Sequence, residues 1–195
     1  MKKFSLRERK KLQYQQKILD AAAKEFQNRG FINTSIAIIM QAADLGVGTF
    51  YNYFDSKEDL LRILTKNLFK QVEEKINFMR TKNFSSLELL DSACKFTAEL
   101  IDENKFVLPL LDTAAKRSDK PETSQKSLSP GFKEIFDEII LFGQSRGEIR
   151  SDIPVDLIAE MFHSIYQAAA FSKLQISFRE NIRLKVKILL DGIKT

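Results

Sequence analysis

Residues 47–53 read Val-Gly-Thr-Phe-Tyr-Asn-Tyr, a run of methyls, hydroxyls and one carboxamide without a charge. Small residues at Val47, Gly48 and Thr49 let the backbone come close to a partner. A β-branched methyl can meet a thymine methyl, while the hydroxyls of Thr49, Tyr51 and Tyr53 and the amide of Asn52 can bond phosphate oxygens or base edges. Phe50 and Phe54 are four apart, so they share one helix face and are expected to pack inward. Tyr51 and Tyr53 fall off that face. Lys57 follows Ser56 at the start of another helix, where free N–H groups already favour an anion. Thr34 and Ser35 offer the same at an earlier helix start. Caps and a small aromatic core would explain several of these residues; the contact reading is placed ahead for Thr49, Tyr51 and Lys57, which fall on the sides that packing leaves free.

Other chemistry has little to work with. The chain holds one histidine, His163, and one cysteine, Cys94. Neither has neighbours at metal-ligand spacing, no glycine-rich loop cradles a phosphate, and the carboxylates are scattered as on solvated helix faces. No enzymatic activity, metal or cofactor is expected. A lone cysteine makes no internal disulfide, which fits a reducing, cytoplasmic setting. The N-terminus has charge but no apolar core, so it is not expected to be a secretory signal, and no apolar run reaches membrane-spanning length.

The net charge is +5, and its placement is uneven. Residues 1–57 hold ten Lys/Arg against five Asp/Glu, and the remainder balances 21 against 21. A basic head on a neutral body points to a polyanionic partner. The head begins with Lys2 and Lys3, then Arg7, Lys10 and Lys11, an arm that could follow phosphates or enter a minor groove; a frayed, solvated end is the competing reading.

The elements that must position these residues are all helical. Ser5 and Glu8 form a capping-box pattern, and Leu12, Ile18, Leu19, Ala22 and Phe26 then recur at helical spacing up to Gly30, giving a helix over about 5–29. Thr34 or Ser35 caps a short helix to about Ala42, Asp44-Leu45-Gly46 breaks it, and a second short helix covers about 47–53. Ser56 caps a long helix with an apolar stripe of Leu60, Leu61, Leu64, Leu68 and Val72. Further helices are expected over 86–103, 106–117, 132–146, 154–173 and 178–193, with a polar loop at 118–129, making about nine in all. Residues 1–55 form a three-helix head and 56–195 a helical body. Two short helices joined by a tight break, with a third across them, make a helix-turn-helix, which lays its second short helix in the DNA major groove.

Two segments carry a resemblance. "ILDAAAKEFQNRGFINTS" followed by "GTFYNYFDSKEDLL" resembles the TetR family of bacterial transcriptional regulators over about Lys17 to Leu61. The resemblance implies a homodimer with an N-terminal DNA-binding head and a C-terminal ligand-binding and dimerisation body. This chain departs from the family at the turn: Asp44 stands where a glycine is common and Gly46 where a serine cap is common. Asp tolerates positive φ better than most residues, so the turn should survive. Val47 and Ala37 stand where relatives often carry long polar base readers.

For the body the resemblance implies a pocket and a four-helix dimer interface. Phe96, Phe106, Leu110, Phe136 and Phe162 are candidate lining residues, with His163 and Gln167 as a polar handle, although phenylalanines also simply fill cores. Ile165, Ala168, Ala169, Ile182, Val186 and Leu189 are candidates for dimerisation. The expected function is a ligand-responsive repressor that binds a palindromic operator in double-stranded DNA and is released by an apolar or aromatic small molecule. The alternatives are a constitutive DNA-binding dimer whose body has no ligand, and a helical module or small enzyme that does not bind DNA.

Overall fold

A computed structural model describes residues 5–108 and 132–195. The expected helix over 106–117, the loop at 118–129, Lys2, Lys3 and Leu110 lie wholly or largely outside the described residues. Within them the chain forms α1 (Leu6–Arg29), α2 (Ile36–Ala42), α3 (Val47–Phe50), α4 (Lys57–Arg80), α5 (Ser86–Glu103), a 3-10 turn over Lys105–Val107, α6 (Phe132–Ser145), α7 (Val155–Ala170) and α8 (Phe178–Ile193). The fold class is all-α. The β pairing among the described residues is one isolated antiparallel bridge, Ile149 with Lys194.

The chain divides into two compact units, Met1–Leu64 and Thr65–Thr195. The boundary lies within α4 and not at residue 55, because Leu60 and Leu61, on its first turns, are fully buried. In the first unit they join Ile18, Leu19, Ala22, Phe26, Ile39, Met40, Phe50 and Phe54, all buried. Both ends of α1 are closed as its sequence predicts. Ser5 and Glu8 make a reciprocal capping box, and Gly30 takes φ 78° at the C-cap. Leu12 is not part of the apolar stripe: it is 50% exposed, and the first buried residue of α1 is Ile18. Periodicity carries the helix outward past the point where anything packs against it.

The second unit is built around α5, whose Leu89, Leu90, Ala93, Cys94, Thr97, Ala98 and Ile101 are buried. α5 packs on α8 and α6, and α7 packs on α6 and α8. Gly143 marks a close crossing. A Cβ there would sit 2.6 Å from Ile149 Cδ1 and 2.8 Å from Ser86 Cβ, so only glycine lets α6 pass the start of α5.

Candidate nucleic-acid interface

The helix-turn-helix is held by local chemistry. Ser35 Oγ accepts from Ile38 N at 3.3 Å and caps α2. Past α2, Asp44 adopts φ 52°, the left-handed conformation that its short polar side chain tolerates. Leu45 N then donates to Met40 O at 3.0 Å and closes the turn. Gly46 is the N-cap of α3 without a side-chain bond, and Thr49 N donates to Gly46 O at 2.9 Å. The regular α-helix is shorter than expected, ending at Phe50 and continuing as a turn over residues 51–53.

The aromatic run divides into two sets. Phe50 and Phe54 are buried with ring centroids 5.7 Å apart. Tyr51 is 63% exposed and meets Phe50 edge-on at 5.3 Å, and Tyr53 is half-buried beside Phe54. Val47, Gly48 and Asn52 are exposed, and Thr49 is half-buried. A Cβ at Gly48 would meet nothing within 4 Å, so this edge is open. The result is a narrow, uncharged edge with hydroxyls beside it on a rigid aromatic footing.

Two expected contacts sit differently. Thr34 is buried, and its hydroxyl lies 2.8 Å from Gly30 O and 3.2 Å from Glu25 O. That hydroxyl serves the C-terminus of α1, and Ser35 alone of the pair faces solvent. Lys57 reaches inward: its Nζ donates to Phe31 O at 2.8 Å and Thr34 O at 2.9 Å, and stands 4.4 Å from the centre of the Phe31 ring. Two of three ammonium donors are thus spent on carbonyls of the α1–α2 loop, leaving one for an outside partner. No local pattern could have revealed this clamp, since the partners lie 26 and 23 residues away. Lys10 and Lys11 are exposed on α1.

In the second unit, Phe136 and Phe162 fill the core against each other, with centroids 5.2 Å apart. Phe106 is buried, while Phe96 is half-buried with Lys75 Nζ 4.1 Å from its ring centre. His163 and Gln167 are half-buried on α7. Burial pulls the His163 imidazole below its ordinary value of 6.5, partly offset by Glu160. Between them Tyr166 is fully buried, and its hydroxyl donates to Cys94 O at 3.1 Å. Burial pushes the Cys94 thiol far up, away from the thiolate form. A groove of about 340 Å³ lies elsewhere, lined by Arg80, Phe84, Leu89, Ile139, Phe142 and Arg146, and none of the candidate pocket residues borders it.

Five of the six dimerisation candidates are already covered within one protomer. Ile165, Ala169, Ile182, Val186 and Leu189 are each no more than 8% exposed; Ala168 alone of the six is open. α7 is apolar on two sides, and the expected set names its inner side. The outer side carries Leu157, Met161 and Phe171, with Leu184 and Ile188 on α8. Among the described residues no cluster of three or more His, Cys, Asp or Glu could hold a metal ion, and no helix is long and apolar enough to cross a membrane.

This geometry agrees with the comparisons to known proteins. Residues 18–64 match the model for bacterial regulatory proteins of the tetR family. The chain is 26% identical over 142 residues to the HTH-type transcriptional repressor KstR2 of Rhodococcus jostii, covering 72% of this chain and 70% of that one. It is 28% identical over 148 residues to the fatty acid metabolism regulator protein of Bacillus subtilis, covering 74% and 75%. The crystal structure of Thermus thermophilus FadR in complex with lauroyl-CoA shares the fold, with a TM-score of 0.72, 22% identity and coverage of 93% and 95%. On an all-helical chain, the segment that holds the helix-turn-helix thus matches the TetR family of bacterial transcriptional regulators.

Proposed function

We propose that the chain is a homodimeric repressor that binds a palindromic site in double-stranded DNA and is released by a small, mostly apolar effector. The observation that carries the reading is the open edge Val47–Gly48–Thr49 set on buried Phe50 and Phe54. Val47 and Thr49 would meet bases, with Gly48 allowing close approach. Ser35, Tyr51, Asn52 and Tyr53 would meet phosphates or base edges. The dimer would form through the outer side of α7 and α8, where Leu157, Met161, Ala168, Phe171, Leu184 and Ile188 are open in the protomer.

For the effector we favour a long-chain acyl thioester. Two of the proteins compared above support this class, one a fatty acid metabolism regulator and one crystallised with lauroyl-CoA. Effector binding would act through α4, whose first turn carries Lys57. Coupling of this kind is typically about 1–3 kcal/mol. The tight Phe136–Phe162 packing favours the second reading, a constitutive DNA-binding dimer without an effector.

The test begins with selection of bound duplexes from a random-sequence library. Fluorescence anisotropy on the recovered duplex should show weaker binding for Thr49→Ala and Tyr51→Phe. Unchanged affinity in both would place the contact surface elsewhere. Lauroyl-CoA and stearoyl-CoA should then raise the melting temperature and release the duplex; stabilisation by neither would favour the constitutive reading.

A further inference from the structure

The first three turns of α1 stand clear of the core. Every residue from Ser5 to Tyr14 is exposed, and burial starts only at Ile18. At 100° per residue, Arg7, Lys10, Lys11, Tyr14 and Lys17 share one side of the helix. Arg7, Lys10 and Lys11 have no partner among the described residues, and Lys17 Nζ is 3.8 Å from Asp44 Oδ2. That contact fixes the direction of the stripe, since Asp44 belongs to the turn immediately before α3. The one acid between Ser5 and Leu19 is Glu8, on another side, with its carboxylate turned back to accept from Ser5 N at 2.7 Å. Cations on the first turns oppose the helix dipole, so the stripe costs the isolated helix some stability.

We infer that this stripe is a second DNA-contact surface, a rigid track that follows phosphates of the duplex flanking the bases met by α3. The inference rests on the reading of the head as a DNA-binding unit. From Leu6 to Lys17 the helix runs about 18 Å, the length of about five base-pair steps. Tyr14 adds a hydroxyl to the cations, as suits a phosphate backbone. An anionic membrane is the other polyanion such a helix could meet. It is disfavoured because Leu6 and Leu12 lie on different sides, with only charged residues between them in the chain, and make no continuous apolar face.

The test uses the full chain, carrying Arg7→Gln with Lys10→Gln, on a duplex recovered from the random library and bearing flanks of 3 or 12 base pairs on each side. Circular dichroism should match the parent and melting should be no lower, since both side chains are exposed and unpartnered and their charges oppose the helix dipole. The parent should bind the long-flanked duplex more tightly, and the variant should bind both alike. The salt slope of log K should fall by about 1.8 per bound protomer, or about 12-fold in affinity change between 50 and 200 mM salt. Lys66→Gln with Lys82→Gln, an equal charge change on exposed body residues, should leave slope and flank dependence unchanged. Three results overturn the inference: a stripe variant with the parent's slope and flank dependence, a body variant with the same losses, or a parent that binds anionic phosphatidylglycerol vesicles through the stripe while DNA binding ignores it. If Thr49→Ala and Tyr51→Phe weaken binding while the stripe variant does not, the stripe assignment fails alone. If the parent binds no duplex, both readings fall.

Discussion

Lys57→Met separates two roles that the position could have. In the structure the ammonium donates at 2.8 Å to Phe31 O and at 2.9 Å to Thr34 O, and caps the Phe31 ring at 4.4 Å. A bond from a charged donor contributes about 1.5–3 kcal/mol when enclosed, but Lys57 is half-buried and water can replace part of each, so about 1 kcal/mol per bond is the fair figure. The ring contact adds about 0.5 kcal/mol. Methionine keeps the aliphatic packing, so the loss should total about 2.5 kcal/mol. For a chain of this size melting as one unit, that is a fall of about 5–10 °C, and more if the head melts by itself. A phosphate contact would leave a different mark: little change in melting, and a salt slope of DNA binding reduced by about 0.9. Differential scanning calorimetry and anisotropy titrations from 50 to 200 mM salt measure both. The expected result is lower melting with the parent's salt slope. Melting within 1 °C of the parent, combined with a slope lower by about one, would refute the clamp.

Gly48→Leu should melt no lower than the parent, because a Cβ there meets nothing and helix propensity improves by about 1 kcal/mol. The same variant should lose DNA binding; retained affinity would show that the edge does not approach bases. Met161→Lys with Ile188→Lys should convert a dimer to monomer in analytical ultracentrifugation while leaving the fold intact, since both residues are open in the protomer. An unchanged sedimentation coefficient would move the interface off this side. Burial holds the His163 imidazole below 6.5, so as pH falls the unfolded chain takes up that proton first. The associated stability is present above about pH 6.5 and is lost on descending from there to the folded value. Melting temperature between pH 7.5 and 5.5 should therefore drop more in the parent than in His163→Gln, and equal drops would refute the assignment.

Much of the head was legible because its signals are local. The Ser5–Glu8 box, the glycine stop, the Ser35 cap and the positive φ at Asp44 each depend on residues within one turn of one another. The i,i+4 spacing of Phe50 and Phe54 separated the buried rings from Tyr51 and Tyr53 for the same reason. Long-range pairings were not legible. Nothing near Lys57 points to carbonyls on the α1–α2 loop, and Thr34 and Ser35 are both plausible caps until the fold buries one. Leu12 obeys the helical period but has no neighbour to pack on, because periodicity reports a helix and not its surroundings. α7 shows the reverse problem. A helix apolar around most of its circumference has two buried faces available, and the sequence alone does not say which is used within the protomer.

The recognition edge raises a question of energetics. A bidentate polar contact discriminates a base by about 1–3 kcal/mol. Val47 and Thr49 offer methyls, and burying one methyl-sized group contributes only about 0.8 kcal/mol. On the proposed function, direct readout by these methyls is therefore small, and Gly48 adds closeness without selectivity. Beyond a base edge met by Asn52 or a tyrosine, sequence preference would then come from how well a site's shape lets all the phosphate contacts form together. That mechanism demands a stiff frame, because contacts that can adjust independently do not sense shape. The structure supplies stiffness where it is needed. Phe50 and Phe54 fix α3 from beneath, the Leu45–Met40 bond closes the turn before it, and Lys57 ties the loop that presents Ser35. On the proposed function, an edge poor in polar side chains and a head rich in internal ties are two halves of one way of reading DNA.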